Sequence, residues 1–194
     1  MRIMRVEDAG SRYGAASIAL HWLTAGIVLV LLFVGNSIGP VGASMLRLHT
    51  SVAVLALPLL ALRIWWRIDQ GHTDPLPRQK RLGFQLGKAA HYVLLAGMAI
   101  MMVSGPAMAW AGNISVHVFD WAKFTSTHEH HPALFAIFRT LHETGGIMLG
   151  YGTLLHVAAV FKHSIFDRDG TFEKIMTVDD PIDLDTPPFP PPPQ

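Results

Sequence analysis

The segment 141–156 reads LHETGGIMLGYGTLLH, and it places two histidines, His142 and His156, fourteen residues apart in a largely apolar stretch. At about 100° per residue in an α-helix, fourteen steps miss a whole number of turns by about 40°, so both side chains fall on one helix face. At about 1.5 Å per residue they lie about 21 Å apart along the axis, against a hydrocarbon core of roughly 30 Å. One membrane helix would therefore carry a candidate ligand near each membrane face.

The composition is that of a membrane protein, since 51% of the 194 residues are hydrophobic and only 15% are charged. Soluble domains have about 25% charged residues. The chain has no cysteine, which excludes disulfides, iron–sulfur clusters and covalent haem attachment. Its eleven histidines are then the candidate metal-binding side chains. Membrane lipid is an expected partner, and no nucleic-acid partner is expected.

Four apolar runs predict an all-α fold, a membrane four-helix bundle. The predicted helices span about 15–35, 44–67, 88–110 and 139–163. We expect residues 1–176 to form one transmembrane domain. Residues 177–194 form an acidic, proline-rich tail whose composition cannot build a core.

The distribution of basic residues predicts the orientation of the bundle. Twelve of the fifteen Lys and Arg residues lie in the N-terminal segment, the connection between the second and third helices, and the C-terminal segment, counting Arg63 at a helix end. The opposite connections hold only Arg47, Lys123 and Arg139. Both termini are therefore expected in the cytoplasm, which an even number of spans allows.

This topology sorts four histidines into one pair at each membrane face. His21 and His156 fall near the cytoplasmic face, and His49 and His142 fall near the outer face. Two imidazoles per site suit a non-covalently held b haem, with one ring on each side of the iron. Tetrahedral zinc would need more ligands per site. We therefore predict two b haems, with His21, His49, His142 and His156 as the iron ligands.

The partner of His156 is less sharply defined. His91 lies at the same depth and competes with His21, although we prefer His21. As alternatives to ligation, His91 would contact a haem propionate or a quinone. The outer cluster at 128–131, HEHH, fits no common metal site and is interpreted as solvated surface.

Arginines and glycines near the histidines have two interpretations each. Arg47 and Arg63 are candidates to pair with the haem propionates, but basic side chains at membrane interfaces also extend toward the headgroups without any ligand. The glycines between His142 and His156 would let a flat ring approach the helix, or would pack against another helix.

These residues are similar to those of a known family. The motifs that carry the similarity are Leu20-His21-Trp22, Arg47-Leu48-His49, Ser104-Gly105-Pro106, Leu141-His142-Glu143-Thr144, Leu155-His156 and Arg168-Asp169-Gly170. Over about residues 12–176 the chain resembles the bacterial cytochrome b561 family of four-helix, dihaem membrane proteins. The resemblance implies that the first and fourth helices ligate the inner haem, and the second and fourth helices the outer haem.

The resemblance also implies electron transport in a bacterial inner membrane, between a quinone pool such as ubiquinone and another redox partner of the respiratory chain. Some members resemble superoxide oxidases, which pass electrons from superoxide to ubiquinone. Others resemble cytochrome b subunits of larger respiratory complexes, to which the tail at 177–194 is a candidate docking segment. Whether the chain is itself an enzyme stays open. The few cations of the outer face weakly disfavour an enzyme that attracts superoxide by electrostatic steering.

Overall fold

The computed structural model describes residues 6–77, 79–125 and 129–177. The helices are α1 (Ala15–Asn36), α2 (Ile38–Val41), α3 (Ala43–Gln70), α4 (Arg81–Ala111), α5 (Pro132–Lys162) and α6 (Glu173–Met176). The strands are β1 (Val116–Val118) and β2 (Ala122–Phe124), and a π-helical turn (His163–Asp167) follows α5. The predicted tail and His128 of the outer histidine cluster lie outside the described residues.

The all-α membrane bundle predicted from the sequence is confirmed. Four helices of the described chain, α1, α3, α4 and α5, are long and apolar enough to cross a membrane. The α4 and α5 helices each contain 31 residues. At about 1.5 Å per residue such a helix is about 46 Å long, which exceeds a hydrocarbon core of roughly 30 Å.

The predicted helix bounds were too narrow at three ends. The α3 helix ends at Gln70 rather than near residue 67, α4 begins at Arg81 rather than near 88, and α5 begins at Pro132 rather than near 139. At α3 and α4, the apolar run marks only the part of the helix that lies in hydrocarbon, whereas the helix itself continues into the interface, where polar side chains reach water. At α5 the added residues 132–138, PALFAIF, are themselves apolar, so the predicted beginning was placed too late in the apolar run. Pro132 occupies the first turn of α5, where its missing N–H costs nothing.

Small residues allow α4 and α5 to pack closely as antiparallel neighbours. A Cβ placed on Gly97 of α4 would lie 3.2 Å from Leu149 Cγ, and one on Gly145 of α5 would lie 3.0 Å from Ile100 Cγ2. The buried apolar cluster at the centre of the bundle draws on all four long helices, through Val28, Ala56, Leu60, Met98 and Leu149. This cluster lies between the two ends of the bundle.

One end of the bundle, here the hairpin end, carries a two-stranded antiparallel hairpin that the sequence analysis did not predict. Strands β1 and β2 pair with His117 opposite Lys123. The fully buried Ser51 of α3 accepts a hydrogen bond from Phe119 N at 2.7 Å, and Thr50 Oγ1 accepts one from His117 N at 3.3 Å. The hairpin therefore lies against the second turn of α3.

The other end, here the terminal end, is covered by three segments that we call the terminal cap: residues 6–14, 71–80 without residue 78, and 163–177. The buried pair of Asp8 and Arg67, 3.5 Å apart, joins the first segment to the last turn of α3. Lys174 Nζ donates to Thr73 Oγ1 at 2.9 Å, which joins the last segment to the middle one.

Replacing Gly145 by alanine should destabilise the bundle, because the added methyl would lie 3.0 Å from Ile100 and 3.1 Å from Met101 Sδ. Overpacking of this kind costs about 1–3 kcal/mol. Gly26→Ala is the matched control, since a Cβ on Gly26 meets nothing within 4 Å. Thermal unfolding in detergent, followed by circular dichroism, should place Gly145→Ala below the wild type and leave Gly26→Ala at or above it. Equal midpoints for the two variants would contradict the packing described here.

Candidate functional site

The structure brings the four predicted histidines together as two pairs. His21 of α1 and His156 of α5 have ring centroids 6.2 Å apart, with ring planes at 62°. His49 of α3 and His142 of α5 also have centroids 6.2 Å apart, with planes at 83°. The first pair lies toward the terminal end of the bundle and the second toward the hairpin end.

The spacing within each pair fits two imidazoles on opposite sides of one metal ion. A metal–nitrogen bond is about 2 Å long, and a ring centroid lies about 1 Å beyond the nitrogen, so two axial rings require about 6 Å between centroids. Rings in direct stacking or edge contact need no such fixed distance. Both pairs have the required value, which makes each of them suitable for binding haem iron.

At the hairpin-end pair, neighbouring residues position both imidazoles. Ser104 of α4, which is 2% exposed, donates its hydroxyl hydrogen to Ile100 O at 2.6 Å. Its oxygen, 3.2 Å from His142 Nδ1, is then available to accept the Nδ1 hydrogen. That tautomer leaves the Nε2 lone pair of His142 for a metal, the usual arrangement of a ligating histidine.

Two glycines provide the room for these rings. A Cβ on Gly35 of α1 would lie 3.2 Å from His49 Cε1, and a Cβ on Gly105 of α4 would lie 3.2 Å from His142 Cε1. Both distances are shorter than ordinary van der Waals contact. The sequence analysis noted Ser104-Gly105-Pro106 only as a motif of the resemblance and overlooked Gly35, because their roles depend on which helices face each other.

At the terminal-end pair, Arg63 of α3 is the nearest basic side chain. Its guanidinium donates to Ser17 O at 3.4 Å and lies 3.5 Å from His21 Nδ1. The Ser17 hydroxyl in turn accepts a hydrogen bond from Trp66 Nε1 at 2.8 Å. An arginine can only donate, but a contact of 3.5 Å is too long to fix the tautomer of His21.

His91 lies beside the terminal-end pair. Its ring centroid is 5.1 Å from that of His156, with the planes at 51°. On its other side, His91 stacks against His72, 6.1 Å away with the planes at 29°. Three imidazoles thus form a row from the pair toward the terminal cap. The Nε2 atom of His72 is buried.

Of the four glycines of α5, two pack against another helix and two leave open space beside α5. Gly145 and Gly152 pack against α4, where added Cβ atoms would lie 3.0 Å from Ile100 Cγ2 and from Leu94 Cδ2 respectively. Gly150 faces open space within 4 Å, and Gly146 meets only Met101 Cε at 4.0 Å. Gly146 and Gly150 lie between the two histidines on α5, so they leave room for a flat ring beside the helix.

Two of the three cations of the hairpin end are engaged with acids. Arg47 forms an ion pair with Asp120 of the hairpin, and Arg139 is paired with Glu143 one turn later on α5, at 2.8 Å. The predicted role of Arg47 at a propionate stays a prediction. Its charge is already matched by Asp120.

Within the described ranges, one group of metal-ligating types lies outside the pairs, at the π-helical turn. His163 Nδ1 is 2.7 Å from Asp169 Oδ2 and 3.2 Å from Asp167 Oδ2, and Lys162 binds Asp167. Burial alone would raise the pKa of Asp169, but hydrogen bonds from Thr171 and His163 lower it. The contacts are those of a hydrogen-bonded histidine–carboxylate pair, which accounts for the cluster without a metal ion.

A four-helix membrane bundle with a histidine pair toward each end is the arrangement of b-type membrane cytochromes. The family model for prokaryotic cytochrome b561 matches residues 12–177, and the chain belongs to this family. The chain is similar to cytochrome b561 homolog 2 of Escherichia coli (strain K12), with 27% identity over 182 residues, 89% of this chain and 95% of that protein. Family membership carries b-type haem binding and electron transport.

Replacing Ser104 by alanine should weaken haem retention, because it removes the acceptor that orients His142. Loss of such a partner typically costs about 10–100-fold in metal affinity. Thr140→Ala is the control, since the exposed Thr140 hydroxyl bonds only to Ala136 O of its own helix. Haem content after detergent dilution should fall for Ser104→Ala and be restored in Ser104→Thr. Unchanged retention in Ser104→Ala would mean that the hydroxyl does not position His142.

Proposed function

We propose that the chain is a dihaem cytochrome of the bacterial inner membrane, which transfers single electrons between the quinone pool and another redox partner of the respiratory chain. The equal 6.2 Å spacing of the two histidine pairs is the observation that carries this proposal. Haem b supplies one-electron chemistry at its iron when bound. His21 and His156 hold the inner haem, and His49 and His142 hold the outer one.

The remaining parts of the bundle keep the two sites apart and dry. The two ligands on α5 are separated by about 21 Å along the helix, at 1.5 Å per residue. The apolar cluster that includes Met98 and Leu149 lies between them and excludes water from the bundle centre. Because it costs free energy to place an ion in this apolar region, electrons can pass between the two sites more easily than ions can.

The terminal end is assigned to the cytoplasm, with both chain termini on that side. This orientation rests on the excess of Lys and Arg in and beside the segments that meet at the terminal end. The quinone reaches the protein from the surrounding lipid, and the inner haem lies on the cytoplasmic side. Ubiquinone or another quinone is the exchange partner in this assignment.

The ring spacings support His21 rather than His91 as the partner of His156. The His91 and His156 centroids are 5.1 Å apart, about 1 Å less than two axial ligands of one metal require. His21 is at the same spacing as the pair at the hairpin end. We therefore assign His21 as ligand and His91 as a neighbour of the inner haem.

The ligand assignment predicts a specific pattern of haem loss. Purified wild-type protein should contain two haems per chain by the pyridine haemochrome assay. His21→Ala and His142→Ala should each lose one low-spin haem, because each removes an axial ligand, whereas His91→Ala should keep both. If His91→Ala lost a low-spin haem and His21→Ala did not, the inner pairing would be wrong. Retention of both haems in His142→Ala would refute the outer assignment.

The alternative function is superoxide:quinone oxidoreductase. An enzyme of this kind gains rate from an outer surface that attracts the anion, but Arg47 and Arg139 at the hairpin end are already paired with acids. These pairs neutralise two of the three outer cations, which weakens the positive field at this surface.

We therefore expect a superoxide pulse to reduce the haems slowly, with little dependence on ionic strength. Pulse radiolysis of the oxidised protein at low and physiological salt would measure this, with Arg47→Gln as a comparison. Fast haem reduction that slows with added salt, and slows again in Arg47→Gln, would instead support the oxidase.

The third candidate function is that of a cytochrome b subunit, which would bind a larger respiratory complex through residues 177–194. Almost all of this tail lies outside the described residues. Its support is composition alone, since proline-rich segments are frequent recognition elements.

A further inference from the structure

Three side chains of the terminal end are not used by the ligand assignment: Arg67, His72 and Lys88. Arg67 is in the last turn of α3 and is only 6% exposed. His72 follows α3 by two residues. Lys88 is on α4, one turn before His91. All three therefore lie near the junction between the end of α3 and the beginning of α4.

The His72 ring is held in place, but its outer nitrogen is not hydrogen-bonded. The ring stacks on His91 at 6.1 Å and lies 4.9 Å from the Tyr92 ring. Its Nε2 atom is buried and has no hydrogen-bond partner among the described residues. A buried donor or acceptor without a partner costs free energy, so this atom is a candidate to bind a water, an ion or a ligand.

Arg67 has a similar deficit. Its guanidinium donates to Gly71 O, lies 3.5 Å from Asp8 and packs over the Tyr13 ring at 5.3 Å. Its Nε atom is nevertheless buried without a partner. Two unsatisfied nitrogens therefore belong to neighbouring positions at the end of α3, and both can donate to oxygen.

The charges around His72 are positive. Burial, assisted by the positive charges of Arg67 and Lys88, lowers the pKa of His72 to about 4, so its imidazole is neutral at physiological pH. Asp8 matches the charge of Arg67, whereas Lys88 forms no ion pair within the described residues. A ligand with an anionic oxygen would satisfy the donors and reduce the excess positive charge.

We propose that Arg67, His72 and Lys88 bind the propionate carboxylates of the inner haem. This rests on the proposed inner haem between His21 and His156. The imidazole contacts lead from His156 to His91 and from His91 to His72, so His72 lies beyond His91 as seen from the ligand pair. A phospholipid phosphate offers the same oxygen chemistry, but the burial of Arg67 favours a ligand inside the bundle over a headgroup at its perimeter.

The test uses intact holoprotein variants and a redox titration that resolves the two haems. His72→Phe keeps a ring against His91 and Tyr92 but removes the donor, and His72→Gln restores an N–H group. Lys88→Gln removes one positive charge. Arg81→Gln is the matched control, because Arg81 is an exposed cation at the beginning of the same helix.

The proposal predicts that His72→Phe and Lys88→Gln lower the midpoint potential of the inner haem, because losing a donor or a cation beside a propionate disfavours the added electron. The outer haem should not shift. His72→Gln and Arg81→Gln should titrate like the wild type. In the redox-difference infrared spectrum, the propionate carboxylate bands should shift in His72→Phe and Lys88→Gln alone. If His72→Phe does not fold, Lys88→Gln decides the test by the same two measurements.

Unchanged inner potential and unchanged carboxylate bands in a variant that retains both haems would overturn the proposal. If those variants instead lost tightly bound phospholipid phosphorus, the donors would belong to a lipid phosphate site. A wild-type protein without an inner low-spin haem would contradict the proposed function, which is a separate result from either of these.

Discussion

The central constraint is that one rigid helix carries a histidine of both pairs. Because α5 is continuous from Pro132 to Lys162, the positions of His142 and His156 are fixed relative to each other, on nearly the same face. The other helices then have to deliver one imidazole each to those two points. The α1 helix brings His21 to one, and α3 brings His49 to the other, both with a centroid spacing of 6.2 Å. The order of the bundle follows from this requirement.

Much of this arrangement could be predicted from the sequence, because hydropathy and helical periodicity are local properties. The four spans and the depth of each histidine depend only on residue order and on the rise per residue. The contacts of Ser104 with His142 and of Gly35 with His49 could not be predicted from the sequence. They depend on which helices are neighbours and on the register between those helices. The hairpin escaped prediction for a related reason: its short strands are stabilised by Thr50 and Ser51 of α3 rather than by their own sequence.

The glycines of α5 illustrate how one composition can satisfy two needs. Gly145 and Gly152 face α4 and let two helices approach closely, whereas Gly146 and Gly150 leave open space beside the helix. A sequence pattern cannot separate these roles, because all four residues lie between the same two histidines. The direction of each position around the helix separates them, once the neighbour of α5 is known. Close packing on one side of α5 therefore coexists with open space on an adjacent side.

The two ends of the bundle differ in how their charges are balanced. At the hairpin end, Arg47 and Arg139 have acidic partners. At the terminal end, Arg67 is buried with Asp8, and burial lowers the pKa of Lys174 to about 8, although Asp74 and Asp8 oppose that shift. Positive charge that is buried without a full complement of acids is costly. It is stabilised if a ligand supplies the missing negative charge. The ion pair of the terminal end, Arg67 with Asp8, is therefore buried, whereas Arg47 and Arg139 of the hairpin end and their acidic partners are exposed.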